Sequence, residues 1–324
     1  MSFGDVNRVN TNLQSLGAQF SLNKINNKLA SNQLKLSTGL RINKAEDDSA
    51  GFSIASKLSG KLGGMNQAMR NIGDAKSMLD VAETGMNSIM DTLIDMKSKA
   101  TQAATDSVGS DERGYIGDQI EALAKEINNI VDQTDFQGKD LLKGDPTLNA
   151  DGDNTNDGTG SLSLTFQVGE SSSDTYSVSI DGISNNTLFT DLKTGSGGGG
   201  VDITGMTIQD GSGTGTAMGN LTIDNSTATS ASYSSLIDEI DKAISTLASG
   251  FNKIGIDQNS LSIKQDNISQ AITSNSAARS RIQDTDFAKV QSEVVRQQIQ
   301  QQTATAALAQ ANSSPQAVLG FMGR

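Results

Sequence analysis

Apolar residues recur at alternating steps of three and four over much of the chain, which is the spacing of α-helices with one buried stripe. The longest run extends unbroken from Met65 to Ala103 and predicts a single long helix with a coiled-coil seam. Shorter runs predict a helix over 116–130 and another over 237–272. We expect these inner helices to bury their stripes against one another.

Both terminal segments show the same spacing in a sequence rich in Asn, Gln and Ala. An N-terminal stripe ends at Phe20, and a stripe in a shifted phase follows it and is interrupted by Asn32. We predict that one chain cannot fully cover the terminal stripes and that they form a polymerisation surface; alternatively, they bury each other within one monomer. The residues of this surface are Val6, Val9, Leu13, Leu16 and Phe20 near one end and Phe287, Val290, Val294, Ile299 and Leu308 near the other.

The centre of the chain has a different pattern. Residues 161–182 alternate apolar and polar positions, which predicts a β-hairpin. Residues 183–230 are rich in Gly, Ser and Thr and contain one aromatic residue, Phe189, so we predict a variable, surface-exposed insert, either a small β domain or a loop. The predicted fold is therefore mainly α: a long coiled-coil-like helical rod from paired N- and C-terminal segments, with a β-hairpin and this small insert.

Composition removes several classes of function. The 324 residues include no Cys and no His, which excludes disulfides, Cys/His zinc sites and His-dependent catalysis. A net charge of -12 argues against nucleic acid as a partner, and no segment approaches the roughly 18 apolar residues of a membrane span. We therefore expect no catalytic residues, no cofactor, no metal and no membrane insertion.

Charge is distributed unevenly along the chain. Residues 1–44 hold six basic residues against one acidic residue, and residues 279–324 hold five against three. The acidic excess therefore lies entirely between two basic ends. This layout indicates a three-part organisation in which the two termini belong together.

Several separate motifs resemble those of bacterial flagellins. The N-terminal signature of that family resembles L-S-T-G-L-R-I-N-K-A-E-D-D-S-A-G at 36–51. Its C-terminal signature resembles S-R-I-Q-D-T-D-F-A at 280–288, A-L-A-Q-A-N at 307–312 and P-Q-A-V-L at 315–319. Internal matches are T-D-F-Q-G-K-D-L-L at 134–142 and F-Q-V-G at 166–169, so only the Gly-rich insert lies outside the resemblance.

The resemblance implies a structural subunit, not an enzyme, that polymerises into the extracellular flagellar filament for swimming motility. Flagellins lack a cleaved secretory peptide, leave the cell unfolded through the flagellar type III system and assemble by their terminal helices. The implied partners are the chain itself, an export chaperone at the C-terminal segment, and the filament cap and hook–filament junction proteins. Two alternatives stay open, namely a junction-type flagellar protein and a secreted adhesin or signalling ligand.

The family also implies a division into layers. The core domain would comprise 1–44 with 281–324, and the helical rod domain 45–182 with 231–280, leaving 183–230 as the insert. Contacts between layers are expected in the joining segment, which contains Arg41, Asp47 and Asp48.

Many flagellins are recognised by a vertebrate Toll-like receptor through a helical stretch Q-R-x-x-E-L-A-x-Q. The aligned stretch here is I-D-M-K-S-K-A-T-Q at 94–102, in which Asp95 takes the Arg position and Ser98 the Glu position. Lys97 and Gln102 remain compatible with binding. Because a carboxylate cannot replace the donors of an Arg, we expect weak receptor activation or none.

Overall fold

The computed structural model describes residues 12–144, 160–189, 206–209, 220–223 and 228–322. Most of them are helical, and the strands form small antiparallel pairs, so the prediction of a mainly α fold is confirmed. The described helices are α1 (Leu13–Thr38), α2 (Ser49–Ala103), α3 (Ser110–Gln133), α4 (Asn185–Leu188), α5 (Ser230–Gln283) and α6 (Phe287–Met322). The described strands are β1 (Asp135–Phe136), β2 (Lys139–Asp140), β3 (Ser161–Gln167), β4 (Thr175–Asp181), β5 (Met206–Gln209) and β6 (Asn220–Ile223).

The chain separates into two compact units. Unit 1 comprises residues 1–63 and 271–324, and unit 2 comprises residues 64–270. The boundaries fall within α2 and α5, so each of these helices contributes residues to both units. Unit 1 therefore contains both terminal segments of the chain.

The seam predicted from spacing along α2 is confirmed in unit 2. Every position of the run is at most 9% exposed, because steps of three and four keep these side chains on one face of the helix. The buried seam consists of Met65, Ala68, Ile72, Ala75, Leu79, Ala82, Met86, Ile89, Leu93, Met96, Ala100 and Ala103.

Other predicted elements complete the core of unit 2. The hairpin predicted over 161–182 is present as β3 and β4, with Leu162 opposite Ile180 and Leu164 opposite Val178. Its inner face packs into the same core as the buried residues of α3 and α5. On β4, the Tyr176 hydroxyl also donates a hydrogen bond of 2.7 Å to Asp257 of α5.

The range predicted to be a surface-exposed insert includes core residues. Phe189 and Leu221 are fully buried, and Ile223 is nearly so. Strand β6 packs on α3, where the Ile223 N–H donates to the Glu121 carboxylate. At both of its ends, the segment 183–230 thus contributes to the packing of unit 2.

Among the described residues, no helix combines the length and the apolar content that crossing a bilayer requires.

Candidate assembly surface

The terminal helices α1 and α6 of unit 1 pack side by side in antiparallel directions. Near one end of the pair, the Asn12 amide donates to the carbonyl oxygen of Ala311 over 2.7 Å. Further along, Gln301 donates to the Asn26 side chain over 2.8 Å. As the residue number rises along α1, that of its partner falls along α6, which is the register of an antiparallel pair.

The inward faces of the two helices form a narrow apolar seam. On α6, Val290 and Val294 are buried, and Leu308 is half-buried. The Leu and Ile residues of α1 that face α6 are half-buried, because a two-helix layer covers each helix on one side. These Leu and Ile residues are Leu22, Ile25, Leu29 and Leu36.

A second apolar stripe on α1 points away from the seam. Leu13, Leu16 and Phe20 follow one another at helical spacing and are 46%, 64% and 72% exposed. At 3.6 residues per turn these positions lie on the side of α1 opposite the seam, and Leu34 extends the same side. We call these four residues the outward stripe of α1.

Helix α6 also exposes apolar residues outside the seam. Val295 and Ile299 lie one turn apart on the side turned away from α1, and both are about half exposed. Phe287, in the first turn of α6, is 60% exposed. Phe287 lies about 80–120° around the helix from these two residues. We call Val295 and Ile299 the outward stripe of α6.

The structure therefore divides the set of residues predicted for polymerisation. Val6 and Val9 lie outside the described residues. Sequence reasoning missed Leu34 and Val295; the pairing of Val295 with Ile299 at a four-residue step was the available signal. The exposed members of the set are Leu13, Leu16, Phe20, Phe287 and Ile299, whereas Val290, Val294 and Leu308 belong to the seam.

The joining segment between α1 and α2 is bound to the segment between α5 and α6. The Arg41 N–H donates to the carbonyl oxygen of Gln283 over 2.6 Å, and its guanidinium donates to that of Ile282 over 2.6 Å. The Thr285 N–H donates back to Gly39 over 2.9 Å. Arg41 thus connects the two chain ends within unit 1.

The two predicted acidic residues of this segment hold its backbone in place. The Asp47 carboxylate accepts hydrogen bonds of 3.0 Å from the N–H groups of Lys44 and Asn43, which lower the pKa of Asp47. Asp48 accepts a bond of 2.9 Å from the Gly51 N–H at the start of α2. Both carboxylates therefore act locally, on the turn that precedes α2.

In unit 2, the predicted receptor-contact residues lie on the surface of α2. Asp95, Ser98 and Gln102 are exposed. Lys97 is half-buried and forms an ion pair of 2.5 Å with Asp241 of α5. The side chains that differ from the receptor-binding pattern are thus accessible to a partner.

Comparison with known proteins places both ends of the chain among flagellins. Family models for the bacterial flagellin N-terminal and C-terminal helical regions match residues 9–147 and 237–322. Flagellin of Bacillus subtilis is 32% identical over 324 residues, covering 97% of this chain and 99% of that protein. Flagellin of Halalkalibacterium halodurans is 30% identical over 314 residues, again covering 97% of this chain and 99% of the relative.

A solved structure named for a flagellar hook-associated protein of Vibrio parahaemolyticus shares the fold. It aligns with a TM-score of 0.52 and 15% identity, and the alignment covers 74% of this chain and all of that one. At this identity the likeness concerns the fold alone.

Proposed function

The chain belongs to the bacterial flagellin family and is a structural subunit of the extracellular flagellar filament, not an enzyme; we propose that it joins its neighbours through the outward stripes of α1 and α6. The observation that carries this proposal is the exposure of Leu16 and Phe20 on the side of α1 away from the seam. Burying one such side chain contributes about 1.5–3 kcal/mol. Several of them in each subunit supply the driving force for a polymer.

The positions of the stripes also favour an open polymer. Outward apolar residues occur on two different helices, so a subunit offers two unlike faces to its neighbours. Contacts between unlike faces are heterologous, and such contacts produce a helical filament when the rotation between copies does not close a ring. We propose that the outward stripe of α1 packs against the outward stripe of α6 in a neighbouring copy.

The finer family properties extend this proposal. We propose that the chain is exported unfolded through the flagellar type III system, with a chaperone at its C-terminal segment, and is placed between the hook–filament junction and the filament cap. The division into a core domain (1–44 with 281–324), a rod domain (45–182 with 231–280) and an insert (183–230) stays a prediction. The joining segment is the expected place of contact between layers.

Substitution of the outward stripe of α1 tests the proposal. The double variant Leu16→Ser with Phe20→Ser should remain soluble and keep the fold of unit 2, because neither side chain belongs to that unit. It should form no filaments under conditions in which the wild type does, as seen by electron microscopy and sedimentation. The matched control replaces the exposed polar residues Gln19 and Asn23 by Ser and should assemble normally. Filaments of wild-type length from the first variant would contradict the proposal.

A further inference from the structure

The inward stripe of α1 contains one position that departs from its apolar pattern. Leu29, Asn32 and Leu36 follow steps of three and four, so a Leu at position 32 would continue the seam. Asn32 is nevertheless only 7% exposed. Among the described residues of unit 1, it is the only buried polar residue.

The Asn32 amide contacts two successive turns of α6. Its Nδ2 donates to Glu293 Oε2 over 3.3 Å and to Gln297 Oε1 over 3.2 Å. One turn further along α6, Gln301 donates to Asn26. Two amides of α1 therefore bind three consecutive turns of the partner helix.

Charged side chains surround these hydrogen bonds. Lys28, Lys35 and Arg296 line the same open polar groove of about 450 Å³ as Asn32 and Glu293. A hydrogen bond to a carboxylate is stronger than one to a neutral amide oxygen, so Glu293 is the stronger of the two acceptors of the Asn32 amide.

A shift of the helix pair by one heptad would keep the apolar faces together but would separate the polar partners. Asn32 would then lie opposite Gln300 and Ala304, or opposite Asp286 and Val290, depending on the direction of the shift. Asn26 would lie opposite Leu308 or Val294, so each amide loses one polar partner to an apolar residue in either direction. Asn32 is the buried one of the two, and a buried amide that loses a hydrogen-bond partner costs about 1–3 kcal/mol. A single buried Asn in a coiled coil selects one register in the same way, at some cost in stability.

We propose that Asn32, supported by Asn26, sets the register of the α1–α6 pair and thereby the geometry in which subunits join. The inference rests on the proposed function, because the outward stripes lie on these same two helices. A slip of one heptad would move Phe20 relative to Ile299 by about 10 Å along the helix axis. The surface presented to a neighbouring copy would then no longer match.

Disulfide formation measures the register directly, since the chain has no Cys of its own. Ser15 Oγ lies 2.6 Å from Asn312 Oδ1, so Ser15→Cys with Asn312→Cys reports the observed register. Ser15→Cys with Thr305→Cys reports a slip of one heptad. A disulfide requires the two Cα atoms to be within about 7 Å, so only the pair that is in register reacts.

Each Cys pair is introduced separately into the wild type, into Asn32→Leu and into the control Gln19→Leu. Gln19 is an exposed amide that lies to one side of both the seam and the outward stripe of α1. In oxidised filaments, the intrachain disulfide of the slipped pair should rise several-fold in Asn32→Leu only, and Asn32→Gln should restore the wild-type ratio. Equal ratios in Asn32→Leu and wild type would overturn the inference. If Asn32→Leu forms no filaments, the ratio of slipped to in-register disulfide is measured in its soluble form and compared with that of soluble wild type. The same two outcomes then support or overturn the inference.

The yields of the two intrachain disulfides do not depend on which surfaces join neighbouring copies. Filaments grown from the Leu16→Ser, Phe20→Ser variant would overturn the proposed function and leave the register measurement intact. Unchanged disulfide ratios would overturn the role of Asn32 and leave the proposed function intact.

Discussion

Gly85 of α2 lies directly against Thr134, so a β-carbon at position 85 would come within 2.6 Å of the Thr134 hydroxyl oxygen. The residue that follows α3 can approach the middle of α2 because α2 has no side chain at this point. By contrast, an added β-carbon at Gly73, which lies earlier in α2, would meet no atom within 4 Å. Gly85 and Gly73 therefore differ in what a side chain at their position would contact.

We expect Gly85→Ala and Gly73→Ala to change stability in opposite directions. Overpacking at position 85 costs about 1–3 kcal/mol. At the exposed position 73, loss of unfolded-state entropy should stabilise the fold by about 0.4–1 kcal/mol. Thermal denaturation followed by circular dichroism measures both. A rise in Tm for Gly85→Ala would show that Thr134 moves away without cost.

Truncating Leu221 should destabilise unit 2 although the residue lies in the Gly-rich insert. Leu221 is fully buried in β6, and Leu→Ala changes at such sites cost about 2–5 kcal/mol. Urea denaturation of Leu221→Ala measures the loss in the free energy of unfolding. Thr222→Ala, at the half-buried neighbouring position of the same strand, is the reference. Equal effects of the two substitutions would mean that β6 contributes little to the core.

The joining segment should lose stability in acid through Asp47. The N–H groups of Lys44 and Asn43 lower the pKa of Asp47 below its ordinary value of 3.8. A depressed pKa in the folded state means that the carboxylate stabilises the fold above pH 3.8, and that this contribution disappears as the pH falls through the folded-state pKa. Carboxyl titration followed by NMR should give a midpoint below 3.8. Asp47→Asn should have a weaker acid dependence than wild type, and an identical dependence would contradict this assignment.

Recognition by the vertebrate receptor should be weak. Asp95 and Ser98 are exposed on α2 where recognised flagellins carry Arg and Glu. Loss of one side of a buried charge pair costs about 2–5 kcal/mol, or well over tenfold in affinity. In a reporter-cell assay with endotoxin-free monomer, Asp95→Arg with Ser98→Glu should raise the response. A wild-type response as strong as that of potent activators would refute the expectation.

Periodicity predicted the parts of the fold that depend on neighbours along the chain. The spacing from Met65 to Ala103 suffices to place α2 in the core, because each buried face follows from local geometry. The contribution of Leu221 was missed, since Gly-rich composition suggests exposure and the packing of β6 on α3 depends on distant residues. At Asn32 the break in the pattern was visible, but its partners on α6 were not.

Contacts between residues far apart in the sequence also limit the prediction of the candidate assembly surface. Exposure of Leu16 and Phe20 follows from having two apolar phases on one helix, which the sequence shows. Which residues of α1 and α6 lie opposite one another depends on the register, and that register is set by amide pairs between opposite ends of the chain. Val290 and Ile299 were assigned to one surface, yet they are nine residues apart, which places them on opposite sides of α6, and they have different surroundings.

The side-chain hydrogen bonds between α1 and α6 join residues that are 261 to 299 positions apart. Contacts so distant along the chain close very long loops, and the entropy of closing such a loop opposes the pairing of α1 with α6. During synthesis, α1 is made first and α6 last. A chain interrupted before residue 287 leaves α1 without its partner helix, so only copies that carry both ends can build the unit that presents the outward stripes.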